Sequence, residues 1–188
     1  MAKENKRVLI LQALEELLPG RRFHEITLDE VAKAAQVGKG TIYLYFKDKD
    51  ALFAELVCYQ LEKLSESFAA LAEYNINELP RKVFDLIESF IRRHRAGFGA
   101  VGNMASLTAN LSPEQIEKLF NASSQVADNL ACAMQKAAPE WQESQSALNA
   151  RTLLWLIDGV VRSEFTGGKN QISTEELLAF YKRGAGIK

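Results

Sequence analysis

The stretch from Gly38 to Phe46, GKGTIYLYF, constrains the fold most, because its composition and its flanks pull in opposite directions. Thr, Ile, Tyr and Phe at this density favour a strand by propensity alone. The flanks favour helix. Upstream, Thr27-Leu28-Asp29-Glu30 has the S/T-x-x-E form of a capping box, in which hydroxyl and carboxylate satisfy each other's backbone N–H groups. Val31, Ala32 and Ala35 then form a small apolar face at helical spacing. Downstream, Asp48 is a good N-cap for a further helix. A helix from Thr27, a tight turn near Gln36 and a short second helix from Gly38 make a helix-turn-helix, whose second member lies in the major groove of DNA.

Spacing divides the second helix into a packing face and a reading face. Ile42 and Phe46 are four apart and share the face that packs on the preceding helices. Lys39, Thr41, Tyr43 and Leu44 are left to face the groove. Lys39 can donate to a guanine edge or a phosphate, Thr41 offers a hydroxyl and a methyl, and Tyr43 can bond a phosphate or stack on sugar and base. Leu44 suits a thymine methyl, or touches no base at all. Gly40 lets the backbone approach closely. For Tyr43 and Tyr45, core packing with a satisfied hydroxyl is the alternative. Thr27 has two compatible uses: a cap stabilising by about 1 kcal/mol, and a phosphate held at the same helix N-terminus. Lys49 opposes the dipole of the helix it starts, where Asp48 and Asp50 are each favourable by about 0.3 to 1 kcal/mol, and a DNA phosphate would account for it.

Charge supports this only through placement. Residues 1–60 hold nine Lys and Arg against nine Asp and Glu, so the proposed DNA domain is neutral overall. Neutralising phosphates needs a local basic surface, to which Lys39, Lys47 and Lys49 are the candidates.

These residues carry a family resemblance. The run from Ile10 to Val57 resembles the N-terminal domain of the tetracycline-repressor (TetR) family of transcriptional regulators, with F-x-x-I-T-x-x-x-V-A, V-x-K-G-T-I-Y-x-Y-F and K-x-K-x-x-L in order and at the right spacing. The DNA contacts expected are Thr27, Lys39, Gly40, Thr41, Tyr43, Leu44, Tyr45 and Lys49; the resemblance points the same way for the phosphate contacts of Thr27 and Lys49, and implies dimerisation through the last two helices and repression rather than activation. Three positions depart from the family pattern: Gln36 stands where Gly is common, Gly38 where Ser is, and Tyr45 where His is. A non-Gly residue forced left-handed costs roughly 1 to 2 kcal/mol, and Gly38 caps without a side-chain acceptor.

The rest of the chain reads as helix. At 188 residues, 47% hydrophobic and 25% charged, it is long enough for one or two cores. The N-terminal stretch is charged and then amphipathic, without the apolar core of a leader, and no apolar run reaches bilayer length, so a cytoplasmic protein is expected. Val8, Leu11, Leu14, Leu17 and Leu18 mark a first helix that Pro19-Gly20 stops, with Phe23 and Ile26 as apolar plugs in the following loop. From Asp48 an apolar series runs through Leu52, Leu56, Leu64 and Phe68 to Leu71, about six turns, long enough to join two domains. Pro80 opens another helix, ending in Arg92, Arg93, His94 and Arg95. Gly97, Gly99 and Gly102 interrupt the stretch after it, a pliable wall rather than a phosphate loop. Ser112-Pro113-Glu114-Gln115 and Ser173-Thr174-Glu175-Glu176 are two further helix starts.

The expected fold class is thus all-α: a three-helix, helix-turn-helix DNA-binding domain over residues 1–50, and a helical ligand-binding and dimerisation domain over 51–188. TLLWLIDGVV, within a helix from about Ser144 to Phe165 that Gly167-Gly168 ends, is apolar nearly all round and has to be covered on all sides. A dimer interface is therefore expected there and on the last helix, from Leu153, Leu156, Val160, Leu178 and Tyr181. Phe84, Phe90, Phe98, Met104, Phe120 and Trp155 could line an apolar cavity with His94 near its mouth, or be plain core. Cys58 and Cys132, far apart and flanked by apolar residues, read as reduced core thiols. His24 and His94 are the only neutral-pH acid-base candidates; with no nucleophile signature, metal-ligand cluster or cofactor motif, an enzyme is not expected. The function expected is a homodimeric repressor that binds a near-palindromic operator in double-stranded DNA and is released by a hydrophobic or amphipathic small-molecule effector. The alternative is an interaction or small-molecule-binding module whose helix-turn-helix is architecture only.

Overall fold

The computed structural model describes residues 2–21, 23–93, 108–165 and 172–187. Helix is the only regular structure among them: α1 (Ala2–Leu17), α2 (Leu28–Ala34), α3 (Lys39–Tyr45), α4 (Lys49–Ser67), α5 (Leu79–Arg93), α6 (Pro113–Ala137), α7 (Glu143–Phe165) and α8 (Thr174–Ala185), with 3-10 turns at Phe23–Glu25 and Phe68–Glu73. The all-α class follows the periodicity read from the sequence. His94, Phe98, Met104 and the glycines at 97, 99, 102, 167 and 168 lie outside the described residues.

The chain packs as two compact units, Met1–Leu61 with Arg92–Ala122, and Glu62–Ile91 with Ser123–Lys188. In the first, Ile10, Leu11 and Leu14 of α1, Ile26, Val31 of α2, Ile42 of α3, Leu52 and Leu56 of α4 and Leu119 of α6 build one apolar core. Ile26 is sealed in it and Phe23 packs against it, as expected of the loop's two plugs. Polar contacts fasten the rim: Glu55 of α4 takes both Arg7 of α1 and Lys118 of α6, and the Asn110 amide donates to Asp50 over 3.1 Å.

Capping chemistry starts the helices where the sequence marks them. The Thr27 hydroxyl accepts from the Glu30 N–H at 3.2 Å, while the Glu30 carboxylate accepts from the Thr27 N–H at 2.8 Å. Ser112 with Gln115 and Ser173 with Glu176 repeat the pattern, and Asp48 caps α4 by accepting from the Ala51 N–H at 2.7 Å. α4 is shorter than its apolar series: at Phe68 it tightens into a 3-10 turn. Just before that point the Ser67 hydroxyl donates back to the Lys63 carbonyl at 2.9 Å, a bond that competes with the regular ladder.

The second unit buries Val83, Phe84 and Ile87 of α5, Leu130 and Met134 of α6, Leu153, Ile157 and Val161 of α7, and Leu177, Leu178 and Tyr181 of α8. Two of its buried polar side chains are paired through short chains: Ser146 donates to Gln135, which donates to the Trp141 carbonyl, and Asn129 donates to Ser65, whereas the buried Asn149 Nδ2 has no hydrogen-bond partner. Burial pushes the Tyr181 phenol well above its ordinary range, and its hydroxyl donates to the Asn149 carbonyl at 3.2 Å. Cys58 is buried as expected, but Cys132 is exposed, because its turn of α6 sends Ala133 and Met134 inward instead.

The capping box of α2 carries a pH dependence. The Arg21 guanidinium, then the Thr27 backbone and hydroxyl, hold the Glu30 carboxyl down at about 2 from an ordinary 4.5. A lowered folded-state value means that folding favours the carboxylate, so this contribution is complete above pH 4.5 and is lost as pH falls from there towards 2. Across that window the melting temperature of wild type should fall more steeply than that of Glu30→Gln. Parallel curves would contradict it.

Candidate nucleic-acid interface

α2 and α3 are joined by a turn that one residue makes possible. Gln36 adopts φ 54°, the left-handed conformation expected where the family pattern has glycine, and the Val37 N–H then bonds the Ala32 carbonyl at 2.9 Å. The chain accepts a strain of roughly 1 to 2 kcal/mol to redirect itself within so few residues. Gly38 precedes α3 in extended conformation with no side-chain cap, so the first turn of α3 is held by backbone alone, the Thr41 N–H bonding the Gly38 carbonyl at 2.8 Å.

The seven residues of α3 divide as the spacing predicts. Ile42 and Phe46, just past the helix end, are sunk in the core, and on the other side Tyr43 is 52% and Leu44 77% exposed. Lys39 and Gly40 are exposed and Thr41 is half-buried. A Cβ at Gly40 would meet nothing within 4 Å, so no contact inside the chain calls for glycine there. Tyr45 differs from its neighbours: its ring is half-buried against the core, tilted on Phe46 with centroids 6.3 Å apart. Packing thus accounts for its ring.

The cations have partners that spacing did not reveal. Lys39 Nζ lies 2.7 Å from Asp29 Oδ2 in the first turn of α2, and this hydrogen bond raises its proton affinity above the ordinary lysine range. Lys49 Nζ lies 4.6 Å from the centre of the Phe23 ring, which stacks on Phe53 at 4.2 Å. Partial burial there lowers the Lys49 value. The cation–π contact gives Lys49 a reason to sit against its helix dipole that requires no DNA. Both partners are remote in sequence, on another helix and in a loop, so no local pattern points to them. Thr27 is exposed and its hydroxyl donates to Glu30 at 2.9 Å, the cap half of its expected use.

The other described candidates differ in burial. Phe84 is buried and Phe90 half-buried on α5, whereas Phe120 on α6 and Trp155 on α7 are exposed, since their neighbours Leu119, Leu153 and Ile157 take the inward positions. Leu153, Val160, Leu178 and Tyr181, expected at a dimer interface, are buried within the chain's own core, and Leu156 is half-buried. The apolar residues left outside are different ones: Leu148 (65%) and Trp155 (75%), two turns apart on α7, and Phe180 (63%) on α8. Among the described residues no group of three or more His, Cys, Asp or Glu could hold a metal ion, and no helix is long and apolar enough to cross a membrane.

Comparison with known proteins follows the same division. The profile of bacterial regulatory proteins of the tetR family matches residues 10–56. YhgD, an HTH-type transcriptional regulator of Bacillus subtilis (strain 168), is 29% identical over 118 residues, 61% of this chain and 61% of its own length. The chain spans between 27% and 61% of the length of the curated relatives it matches. Among solved structures, a TetR transcriptional regulator from Rhodococcus sp. RHA1 superposes with a TM-score of 0.67 at 21% identity, covering 100% of this chain and 97% of that one. The regulator FadR from Bacillus subtilis, solved with stearoyl-CoA, superposes with a TM-score of 0.63 at 18% identity, covering 96% of each chain. At those identities the structural likeness speaks for the fold. The matched residues are the ones that build the helix-turn-helix and the end of α1 beneath it, so residues 10–56 are similar to the N-terminal domain of the bacterial tetR-family regulators.

Proposed function

We propose that this chain is a homodimeric, DNA-binding transcriptional repressor that reads a near-palindromic operator through α3 and is released by a hydrophobic or amphipathic small molecule. The observation that carries the DNA reading is the pair of faces on α3. Ile42 and Phe46 fix the helix to the core, while Lys39, Gly40, Tyr43 and Leu44 stand out of it. Large apolar and aromatic groups exposed on a firmly anchored helix, beside a glycine that nothing inside the chain requires, suit a surface approached closely by a partner. Thr41, Thr27, Tyr45 and Lys49 complete the proposed contact set over residues 1–50, with Tyr45 offering its hydroxyl edge and Lys49 leaving Phe23 for a phosphate. Repression, and a cytoplasmic location, are what the resemblance of residues 10–56 to tetR-family regulators implies.

The dimer reading moves to the residues left exposed. Leu148, Trp155 and Phe180 present an apolar surface on α7 and α8, and a second copy of the chain would cover it about a two-fold axis. Two recognition helices so related would sit roughly 34 to 36 Å apart and meet half-sites about one helical turn apart. The effector would take its place in residues 51–188, with Phe84 and Phe90 of α5 as the described candidates. The stearoyl-CoA held by the similarly folded FadR supports an acyl-chain ligand class.

Two measurements test this. Lys39→Ala with Tyr43→Ala should lower operator affinity at least about thirtyfold, at roughly 1 to 3 kcal/mol per lost base or phosphate contact, in fluorescence anisotropy. Because both side chains are exposed, the melting temperature should hold. Unchanged binding would instead favour a helix-turn-helix kept as architecture. Trp155→Arg should convert the dimer to monomer in sedimentation velocity, a buried aromatic anchor contributing about 2 kcal/mol or more; a variant that stays dimeric would place the interface elsewhere.

A further inference from the structure

Among the described residues, Asp29 is an acidic group bonded to the exposed face of α3 through Lys39. It sits in the first turn of α2, exposed, and Lys39 Nζ reaches across from the first turn of α3 to bond it at 2.7 Å. A carboxylate early in a helix is favoured by the dipole, which explains an acid at that position but not its bond to the recognition helix. Beside DNA, a carboxylate held at the leading lysine has two costs: it neutralises the cation and it repels phosphate. Neighbouring Arg21 is tied in the same way, to Glu30 at 2.9 Å, so the first turn of α2 occupies two cations at once. Sequence-independent binding draws on cations free to meet phosphates wherever they lie. An interface whose leading lysine is already occupied is poorly equipped for it.

We infer that Asp29 acts as a specificity residue: it withholds Lys39 from arbitrary phosphates and gives it up only where an operator acceptor is placed to take the ammonium. This rests on the DNA-binding reading above. The ion pair is exposed, with side chains 50% and 66% accessible, so it is weak enough for a well-placed acceptor to displace. Asp29 acts through Lys39 and is a positioning residue; it touches no base itself. Removing the carboxylate frees Lys39 for any duplex, so discrimination falls because random DNA is bound better.

The test uses the whole chain of 188 residues and two probes: the duplex that wild type enriches most from random DNA, and a duplex of scrambled sequence. Anisotropy titrations across a salt series compare wild type, Asp29→Asn, Lys39→Met and the double variant, with melting temperatures as the folding control. Asp29→Asn should bind the scrambled duplex about threefold to tenfold tighter with a log–log salt slope steeper by about one, should gain less on the enriched duplex, and should lose both effects in the Lys39→Met background. Unchanged binding of the scrambled duplex by Asp29→Asn would overturn the inference. So would a gain that persists in full without Lys39, which would assign the carboxylate a direct repulsion of phosphate. If wild type enriches no duplex and binds both probes alike, the DNA reading itself fails, a result separable from either of these.

Discussion

A helix of seven residues closes too few hydrogen bonds to persist alone in water. α3 is such a helix, its N-cap carries no side-chain bond, and its sequence leans towards strand. It exists because Ile42 and Phe46 are sunk into a core supplied by α1, α2, α4 and the start of α6. Everything proposed for the reading face depends on that anchorage, since exposed side chains can be aimed only if the opposite face of their helix is immobile. The same dependence explains the strained turn at Gln36: the backbone accepts a left-handed residue because the packing on either side fixes where α2 ends and α3 begins.

Electrostatics adds a second layer, in which three cations around the helix-turn-helix are already engaged within the chain. Lys39 is paired with Asp29, Arg21 with Glu30, and Lys49 lies over Phe23. Each is an exposed or half-exposed contact of the kind that contributes little to stability and can be exchanged for another partner. A neutral DNA-binding domain is therefore consistent with tight operator binding, provided the exchange is favourable only at the right sequence. Under the proposed reading, selectivity comes from what the cations must leave behind as much as from what they meet.

Much of this was legible in the sequence, for identifiable reasons. Capping boxes at Thr27, Ser112 and Ser173 are local signals whose partners lie three residues away, and each is formed. Ile42 and Phe46 were separable from Tyr43 and Leu44 because helical spacing assigns faces. Spacing could not say which face has a neighbour. On α7, Leu153 and Val160 belong to the chain's own core and Trp155 to its surface, although all three lie in one apolar run. The same limit misplaced Cys132 and Phe120, whose turn of helix points the other way. Lys39–Asp29 and Lys49–Phe23 join elements separated by turns, so they exist only in the folded chain.

The central claim is that two copies of α3, related by a two-fold axis, read one stretch of DNA. Selection of bound duplexes from a random library, followed by sequencing, tests it most directly. The account predicts an enriched near-palindrome whose half-sites lie about one helical turn apart. Recovery of a single half-site, or of no shared sequence, would contradict it.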